Sequence, residues 1–198
     1  MQPPSSSSSS SSSSCLSNNF SYDVFISFRG TDTRHNFTGN LYKALCDKGI
    51  RTFIDDKELQ RGDEITSSLH KKIEDSRISV IVFSENYATS SFCLDELVHI
   101  FHCSKEMGRL VLPVFYGVEP SHVRYLNNSY GEALAEFEER FENNKENMER
   151  LQKWKIALNQ AANLSGYHYS PPEYPHFTSI FFPFIFPFFN FYSPIISL

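Results

Sequence analysis

The residues with the clearest chemical potential lie in one stretch, Ser84 to Leu97, which reads SENYATSSFCLDEL. The apolar run Ile78 to Phe83 precedes it and predicts a buried strand, and the polar segment after the strand predicts a loop that opens a helix. We expect Glu96 in the first turn of that helix, where the positive end of the helix dipole keeps a carboxylate ionised. This place also lies beyond the carboxyl end of a strand, where open α/β sheets bind their ligands. Glu96 is therefore a candidate catalytic group, and the alternative is that it only stabilises the helix end.

Other side chains nearby suggest weaker chemistry. Asp95 points about 100° away from Glu96 on a helix, so we expect it to be solvated or bonded to a loop. His99, His102 and Cys103 occupy neighbouring helix positions, but a fourth metal ligand at suitable spacing is missing, and a solvent-facing helix surface is the better interpretation. The sequence thus predicts no metal and no bound cofactor.

Two nucleotide- or phosphate-related classes are also disfavoured. The pair Asp55–Asp56 is typical of phosphate-accepting receivers, but these need an acceptor aspartate at the end of the third strand, where this chain has Phe83–Ser84. A Walker-type or GxGxxG phosphate loop is absent from the sequence, which argues against a Rossmann dehydrogenase.

The elements that must position these residues alternate as strand and helix between residues 20 and 169. Asp32 or Thr33 is predicted to cap the first helix, and Ser129–Glu132 matches a capping box ahead of a later one. Pro113 cannot donate to a ladder, so its strand is placed near a sheet edge. The five predicted strands are Tyr22–Phe28, Ile50–Ile54, Ile78–Phe83, Leu110–Tyr116 and Tyr167–Tyr169.

This alternation predicts an α/β fold with a flavodoxin-like, doubly wound, five-stranded parallel sheet. Right-handed crossovers favour the strand order 2-1-3-4-5, whose switch point lies between strands one and three. The loop Arg29–Arg34 and the segment that ends in Glu96 should meet there.

Composition limits the function further. A formal net charge of -5, a pI near 5.8 and the lack of a dense Lys/Arg cluster argue against nucleic-acid binding. The four cysteines show no CxxC spacing and the chain shows no secretory signal, which indicates reduced thiols in the cytosol.

The two ends of the chain differ from the middle. Residues 1–19 carry the serine run Ser5–Ser14, which has nothing apolar to bury, so this segment is expected to be disordered. Residues 170–198 form a Pro- and Phe-rich apolar tail. Its stretch 177–198 has about the length of a membrane span, but Pro183, Pro187 and Pro194 argue against a spanning helix. The alternative is a non-native tail after a truncated domain.

Eight motifs together resemble a TIR domain of the plant immune-receptor type, in the right order across residues 20–169. No motif is decisive alone, but the ordered set is specific. They are Tyr22–Gly30, Asp32–Arg34, Phe53–Asp56, Arg61–Ile65, Ser84–Tyr87, Cys93–Leu97, Leu112–Tyr116 and Pro120–Arg124.

The resemblance implies a cytoplasmic NAD⁺ nucleosidase in plant innate immune signalling, which is active on self-association. Glu96, in Cys-Leu-Asp-Glu-Leu, would be the catalytic residue, and NAD⁺ would be the substrate. For Arg29 and Arg34 the alternative is an ion pair with Asp32, Asp55 or Asp56. The residues implied to contact the nucleotide are Ser27, Phe28, Arg29, Gly30, Thr31, Asp32, Arg34, Leu59, Gly62 and Phe92.

Three departures from the family pattern stand out. Phe92 replaces a common tryptophan, and Gly39–Asn40 replaces a Ser-His pair at a self-association surface. The final helix after the fifth strand is missing or replaced by the tail. These changes keep open a second hypothesis, in which the chain is a non-catalytic adaptor that pairs with the TIR domains of immune receptors, and a third, in which it is a truncated product with neither role.

Overall fold

The computed structural model describes residues 20–54 and 67–170. The predictions for the serine-rich start, for Leu59 and Gly62, and for the last helix and the apolar tail lie outside the described residues.

A five-stranded parallel sheet forms the centre of the fold, with strand order β2-β1-β3-β4-β5. The predicted order is confirmed. The strands are β1 Tyr22–Phe28, β2 Thr52–Ile54, β3 Ser76–Phe83, β4 Leu110–Tyr116 and β5 Tyr167–Tyr169. β1 and β3 pair along most of their length, from Tyr22↔Ser76 to Phe28↔Val82, so both strands end at the same edge of the sheet.

Seven helices and one 3₁₀ turn connect the strands within the described residues. The 3₁₀ turn spans Tyr87–Thr89. The helices are α1 Gly30–Thr33, α2 Phe37–Asp47, α3 Ser67–Glu74, α4 Ser91–Met107, α5 Pro120–Tyr125, α6 Asn128–Phe141 and α7 Lys145–Asn163.

The two faces of the sheet carry two separate apolar clusters, because successive strand side chains point to opposite faces. Val24, Ile26 and Val80 face α2 in the smaller cluster. Phe25 and Ile81, on the other face, belong to the larger cluster, to which α3, α4, α5, α6 and α7 all contribute. Parallel strands that are buried on both faces have continuous apolar sequences, and for this reason β1 and β3 could be predicted from the sequence.

The starts of two helices differ from the sequence predictions. Neither Asp32 nor Thr33 caps α2; the cap is Asn36, whose side chain accepts from the Phe37 backbone N–H. The predicted capping box at Ser129 is also wrong, because α6 already begins at Asn128 after the N-cap residue Asn127. Side chains of Asp, Asn, Ser and Thr all suit the N-cap, and the sequence alone did not choose among adjacent ones.

The far edge of the sheet explains where proline is tolerated. β5 pairs with β4 only from Val114↔Tyr167 to Tyr116↔Tyr169. Pro113 lies just before this pairing begins, so its prediction near a sheet edge is confirmed. Gly166 leads into β5, and a Cβ atom there would lie 2.6 Å from the Pro113 carbonyl oxygen. The backbone at residue 166 therefore approaches β4 this closely only because glycine has no side chain. Among the helices of the described residues, none has the length and apolarity that crossing a membrane requires.

Candidate active site

The candidate site lies at the carboxyl ends of β1 and β3, where the order of the sheet reverses. β1 ends in Ser27–Phe28 and leads into α1, while β3 leads through Ser84 and the 3₁₀ turn into α4. The loops from two adjacent strands therefore converge on one edge, as the topology predicted.

Glu96 sits on α4, but not in its first turn. The helix begins at Ser91, and the Ser90 side chain caps it by accepting from the Cys93 N–H at 3.2 Å. Glu96 is thus in the second turn, where the field of the helix end has largely faded. The expected stabilisation by the helix dipole is wrong for this residue. Its carboxylate is instead buried, with 3% exposure, and Oε2 accepts a hydrogen bond from the Ser27 hydroxyl at 2.7 Å.

Ser27 was predicted to contact the nucleotide, yet its side chain points into the protein. It lies two residues after Phe25, on the sheet face that α4 covers, and it is 1% exposed. Its Oγ lies 2.7 Å from Glu96 Oε2 and 2.9 Å from the Tyr87 phenolic oxygen. Ser27 therefore contacts the candidate catalytic carboxylate directly.

Tyr87 is a component that the sequence reasoning missed as a site residue. The side chain is fully buried, and its hydroxyl oxygen lies 3.1 Å from the Cys93 carbonyl oxygen and 2.9 Å from Ser27 Oγ, so its one hydrogen is shared between them. Burial raises the pKa of Tyr87 well above its usual value, and the nearby Cys93 and Glu96 act in the same direction. The residue is part of the Ser-Glu-Asn-Tyr motif, so the sequence did single it out. Its contact with Ser27, 60 positions away, could not be inferred from that motif.

Asp32 joins the two loops of the site. Its Oδ2 accepts from the Ser84 hydroxyl at 2.7 Å and from the Asn86 backbone N–H at 3.0 Å. Thr31 donates its hydroxyl to Asp32 Oδ1 at 3.2 Å. Asp32 thus fixes the β3 loop to the β1 loop, and its contact with the nucleotide stays a prediction.

The loop after β1 carries the remaining predicted contacts. Arg29 occupies the N-cap position of α1, and Gly30 is buried in its first turn. The Arg34 guanidinium lies over the Phe28 ring, 4.9 Å from its centroid, in a cation–π contact. A Cβ at Gly39 would lie 2.4 Å from the Arg34 carbonyl oxygen. Glycine at this departure from the family pattern therefore lets α2 approach the turn that holds Arg34.

Phe92, another predicted nucleotide contact, is largely buried. It lies in the first turn of α4, is 7% exposed and packs in the larger core cluster. Its ring supports the start of the helix that carries Glu96.

Asp95 is neither solvated nor bonded to a loop, so that prediction is wrong. Its Oδ1 accepts from Arg150 Nε at 3.0 Å and from the Trp154 indole N–H at 2.7 Å, and Oδ2 forms an ion pair with Arg150. Both partners belong to α7, so the carboxylate beside Glu96 fastens α4 to α7.

His99 of α4 faces α3 rather than solvent, whereas His102 is exposed. The His99 ring stacks on His70 with centroids 3.9 Å apart, and His99 Nε2 lies 3.2 Å from Glu74 Oε1. Cys103 is buried, and burial raises its pKa to about 11. The expectation of a solvent-facing surface is wrong for His99 and Cys103. No group of ligating side chains in the described ranges is arranged to hold a metal ion.

A cavity of about 450 Å³ opens beside the site, at the ends of β4 and β5. Glu85, Glu119, His122 and His168 line it, and none of the predicted site residues does so among the residues described. The chemistry at Glu96 and this cavity are therefore distinct features of the same edge.

An open parallel sheet with a buried carboxylate at its switch point defines the class of domain, and sequence comparison identifies the family. The TIR domain model matches residues 21–174. The chain therefore belongs to the TIR domain family.

Its relatives include plant disease resistance proteins. Disease resistance protein RPV1 of Vitis rotundifolia is 54% identical over 154 residues, which are 78% of this chain and 10% of that protein. TMV resistance protein N of Nicotiana glutinosa is 52% identical over 150 residues, 76% of this chain and 13% of that protein. The chain thus spans about a tenth of the length of the curated relatives it matches.

A solved structure shares the fold. It contains the TIR domains of the activated Roq1 resistosome, which directly recognises the pathogen effector XopQ. That structure has a TM-score of 0.69 and 48% identity to this chain, and the match covers 75% of this chain and 87% of the other.

Proposed function

We propose that this TIR domain is a NAD⁺ nucleosidase of plant innate immune signalling that is active on self-association. The observation that carries the proposal is the Glu96 carboxylate, which is buried at the switch-point edge and hydrogen-bonded to Ser27 at 2.7 Å. Membership of the TIR family and the similarity to disease resistance proteins support the same function.

The chemistry requires one negative group next to a developing positive charge. The bond between nicotinamide and ribose breaks with its electron pair going to the pyridinium nitrogen, so nicotinamide departs neutral and needs no general acid. The ribose becomes oxocarbenium-like, and a carboxylate within a water-poor site stabilises that cation. Water then adds to the anomeric carbon and releases a proton, which gives ADP-ribose; an internal nucleophile in place of water gives a cyclic product.

The experiment is nicotinamide release from NAD⁺ by purified protein, measured by chromatography. Glu96→Gln keeps the size and the hydrogen-bonding oxygen but removes the charge, and we expect turnover to fall by about 10²- to 10³-fold. Glu96→Ala should abolish it. Glu85→Gln is the matched control, because it removes an exposed carboxylate at the same sheet edge, and it should retain the parent rate.

The proposed dependence on self-association is tested by a second measurement, in which the protein concentration is varied. Turnover per molecule should rise with protein concentration, because assembly by mass action increases the active fraction. A Glu96→Gln variant that folds and turns over at the parent rate would refute the catalytic role of Glu96.

The second candidate function is a non-catalytic adaptor that pairs with the TIR domains of immune receptors. The similarity to TIR domains within an activated resistosome supports it. A folded parent chain that releases no nicotinamide at any concentration, but binds an isolated receptor TIR domain, would favour the adaptor.

A further inference from the structure

A chain of hydrogen bonds runs from the interior of the domain to Glu96. The Tyr87 hydroxyl lies 2.9 Å from Ser27 Oγ, and Ser27 Oγ lies 2.7 Å from Glu96 Oε2. The Tyr87 hydroxyl also lies 3.1 Å from the Cys93 carbonyl oxygen. Tyr87 is fully buried and Ser27 is 1% exposed, so both hydroxyls bond to neighbours inside the protein.

The direction of the hydrogen bonds follows from counting hydrogens. A serine hydroxyl has one hydrogen, and an ionised carboxylate only accepts, so Ser27 must donate to Glu96. The contact between Ser27 and Tyr87 then needs the single hydroxyl hydrogen of Tyr87, since two facing lone pairs at 2.9 Å would repel. Tyr87 shares this hydrogen between Ser27 Oγ and the Cys93 carbonyl oxygen, which lies 3.1 Å away. Burial keeps the Tyr87 phenol protonated, so this hydrogen is present at neutral pH. An ionised Glu96 thus orders the chain as Tyr87 to Ser27 to Glu96.

We propose that Ser27 and Tyr87 are positioning residues, which hold the Glu96 carboxylate ionised and in a single orientation at the site. Ser27 acts directly on the carboxylate, and Tyr87 acts through Ser27. The inference rests on the proposed function only in that Glu96 is the catalytic group there. It also changes the role expected for Ser27, from a nucleotide contact to a support behind the carboxylate.

The physical reason is that a hydrogen bond to the charged form of a carboxyl group favours that form. A bond of this kind is stronger than one between neutral groups. A second hydroxyl that donates to the first polarises it further, which strengthens the bond that reaches the carboxylate. Removal of either hydroxyl should therefore raise the pKa of Glu96 and weaken the fixation of its side chain.

The test uses Ser27→Ala, Tyr87→Phe and the double variant in the full chain. Tyr130→Phe is the matched control, because Tyr130 is also a fully buried tyrosine with a raised pKa, but its hydroxyl donates to the Ser84 carbonyl at 2.8 Å. The first readout is the titration of Glu96, followed by carbon NMR of ¹³C-labelled glutamate and assigned by its loss in Glu96→Gln. The second readout is the pH profile of kcat and KM for nicotinamide release.

We expect the Glu96 titration midpoint to rise by about one to two pH units in Ser27→Ala. Tyr87→Phe should give a smaller rise, of roughly half a unit to one unit, because Ser27 keeps its own bond. kcat should fall by about 10- to 100-fold and about 3- to 10-fold respectively, with KM little changed, and the acid limb of the profile should move to higher pH. Tyr130→Phe should change none of these quantities, although it lowers stability.

The double variant is decisive for the order of the chain. If Tyr87 acts through Ser27, Tyr87→Phe in the Ser27→Ala background should have no further effect on Glu96. Fully additive effects, or an equal effect of Tyr130→Phe, would overturn the proposal. A parent chain without turnover would refute the proposed function but not this inference, because the NMR titration decides it without activity.

Discussion

Replacing Asp95 with alanine should destabilise the domain far more than replacing any exposed carboxylate. The side chain is 15% exposed and joins Arg150 and the Trp154 indole of α7 to α4. In the variant, the indole N–H of the fully buried Trp154 loses its acceptor, which costs about 1–3 kcal/mol. The Arg150 charge also loses its ion pair with Asp95, but Arg150 is 26% exposed and water compensates in part.

We therefore expect a loss of about 3 kcal/mol from a domain stability of roughly 5–15 kcal/mol. With a urea m-value near 2 kcal/mol/M, the unfolding midpoint should drop by about 1.5 M at unchanged m. The assay is urea denaturation followed by tryptophan fluorescence, because the chain has 1 tryptophan and it is Trp154. Circular dichroism should give the same midpoint.

The matched control is Glu138→Ala, which removes the ion pair between Glu138 of α6 and Lys155 of α7. This pair is 2.7 Å long, with side chains 51% and 24% exposed, so its loss should cost less than about 1 kcal/mol. If Asp95→Ala and Glu138→Ala lowered the midpoint equally, the argument from burial would be refuted and Asp95 would behave as the solvated residue that the sequence suggested.

Three further predictions concern pH, packing and helix capping. Burial and the neighbouring His70 lower the pKa of His99, although Glu74 opposes them. The unfolded chain therefore binds the proton at a higher pH than the folded protein does, and stability should fall as the pH drops below about 6.5. His99→Asn should flatten this fall in urea midpoints measured from pH 7.5 to pH 5.5. Gly166→Ala should lower stability by about 1–3 kcal/mol, seen as a lower Tm, because the new Cβ would lie 2.6 Å from the Pro113 carbonyl oxygen; an unchanged Tm would show that the backbone shifts freely. Ser90→Ala should cost about 1 kcal/mol in urea denaturation because it removes the cap of α4, whereas Ser90→Asn, which can also accept from the helix N–H, should retain most of the stability.

The three central strands, β1, β3 and β4, could be predicted from the sequence because each carries its own apolar run. A run such as Tyr22–Phe28 needs no knowledge of its neighbours to be read as a strand buried on both faces. Chirality of the crossovers then leaves few strand orders, and the observed order is the predicted one.

The contacts of single polar side chains were much harder to predict. The helical angle between Asp95 and Glu96 was sound, but it does not reveal that α7 supplies Arg150, a residue 55 positions away in the chain. His99 was misjudged for the same reason, since His70 and Glu74 lie on a different helix. Ser27 could have been placed correctly, because strand alternation puts it on the same face as Phe25 and hence under α4.

The hydrogen-bond chain at Glu96 has a consequence for the order of events during folding. Its links join residues 60 and 69 positions apart, on β1, the 3₁₀ turn and α4. Contacts between such distant parts of a chain carry a large loop-closure entropy and form only as the long-range strand pairs form. A nascent or incompletely folded chain would then lack the ordered carboxylate, and the proposed cleavage of NAD⁺ would begin only once the sheet is complete.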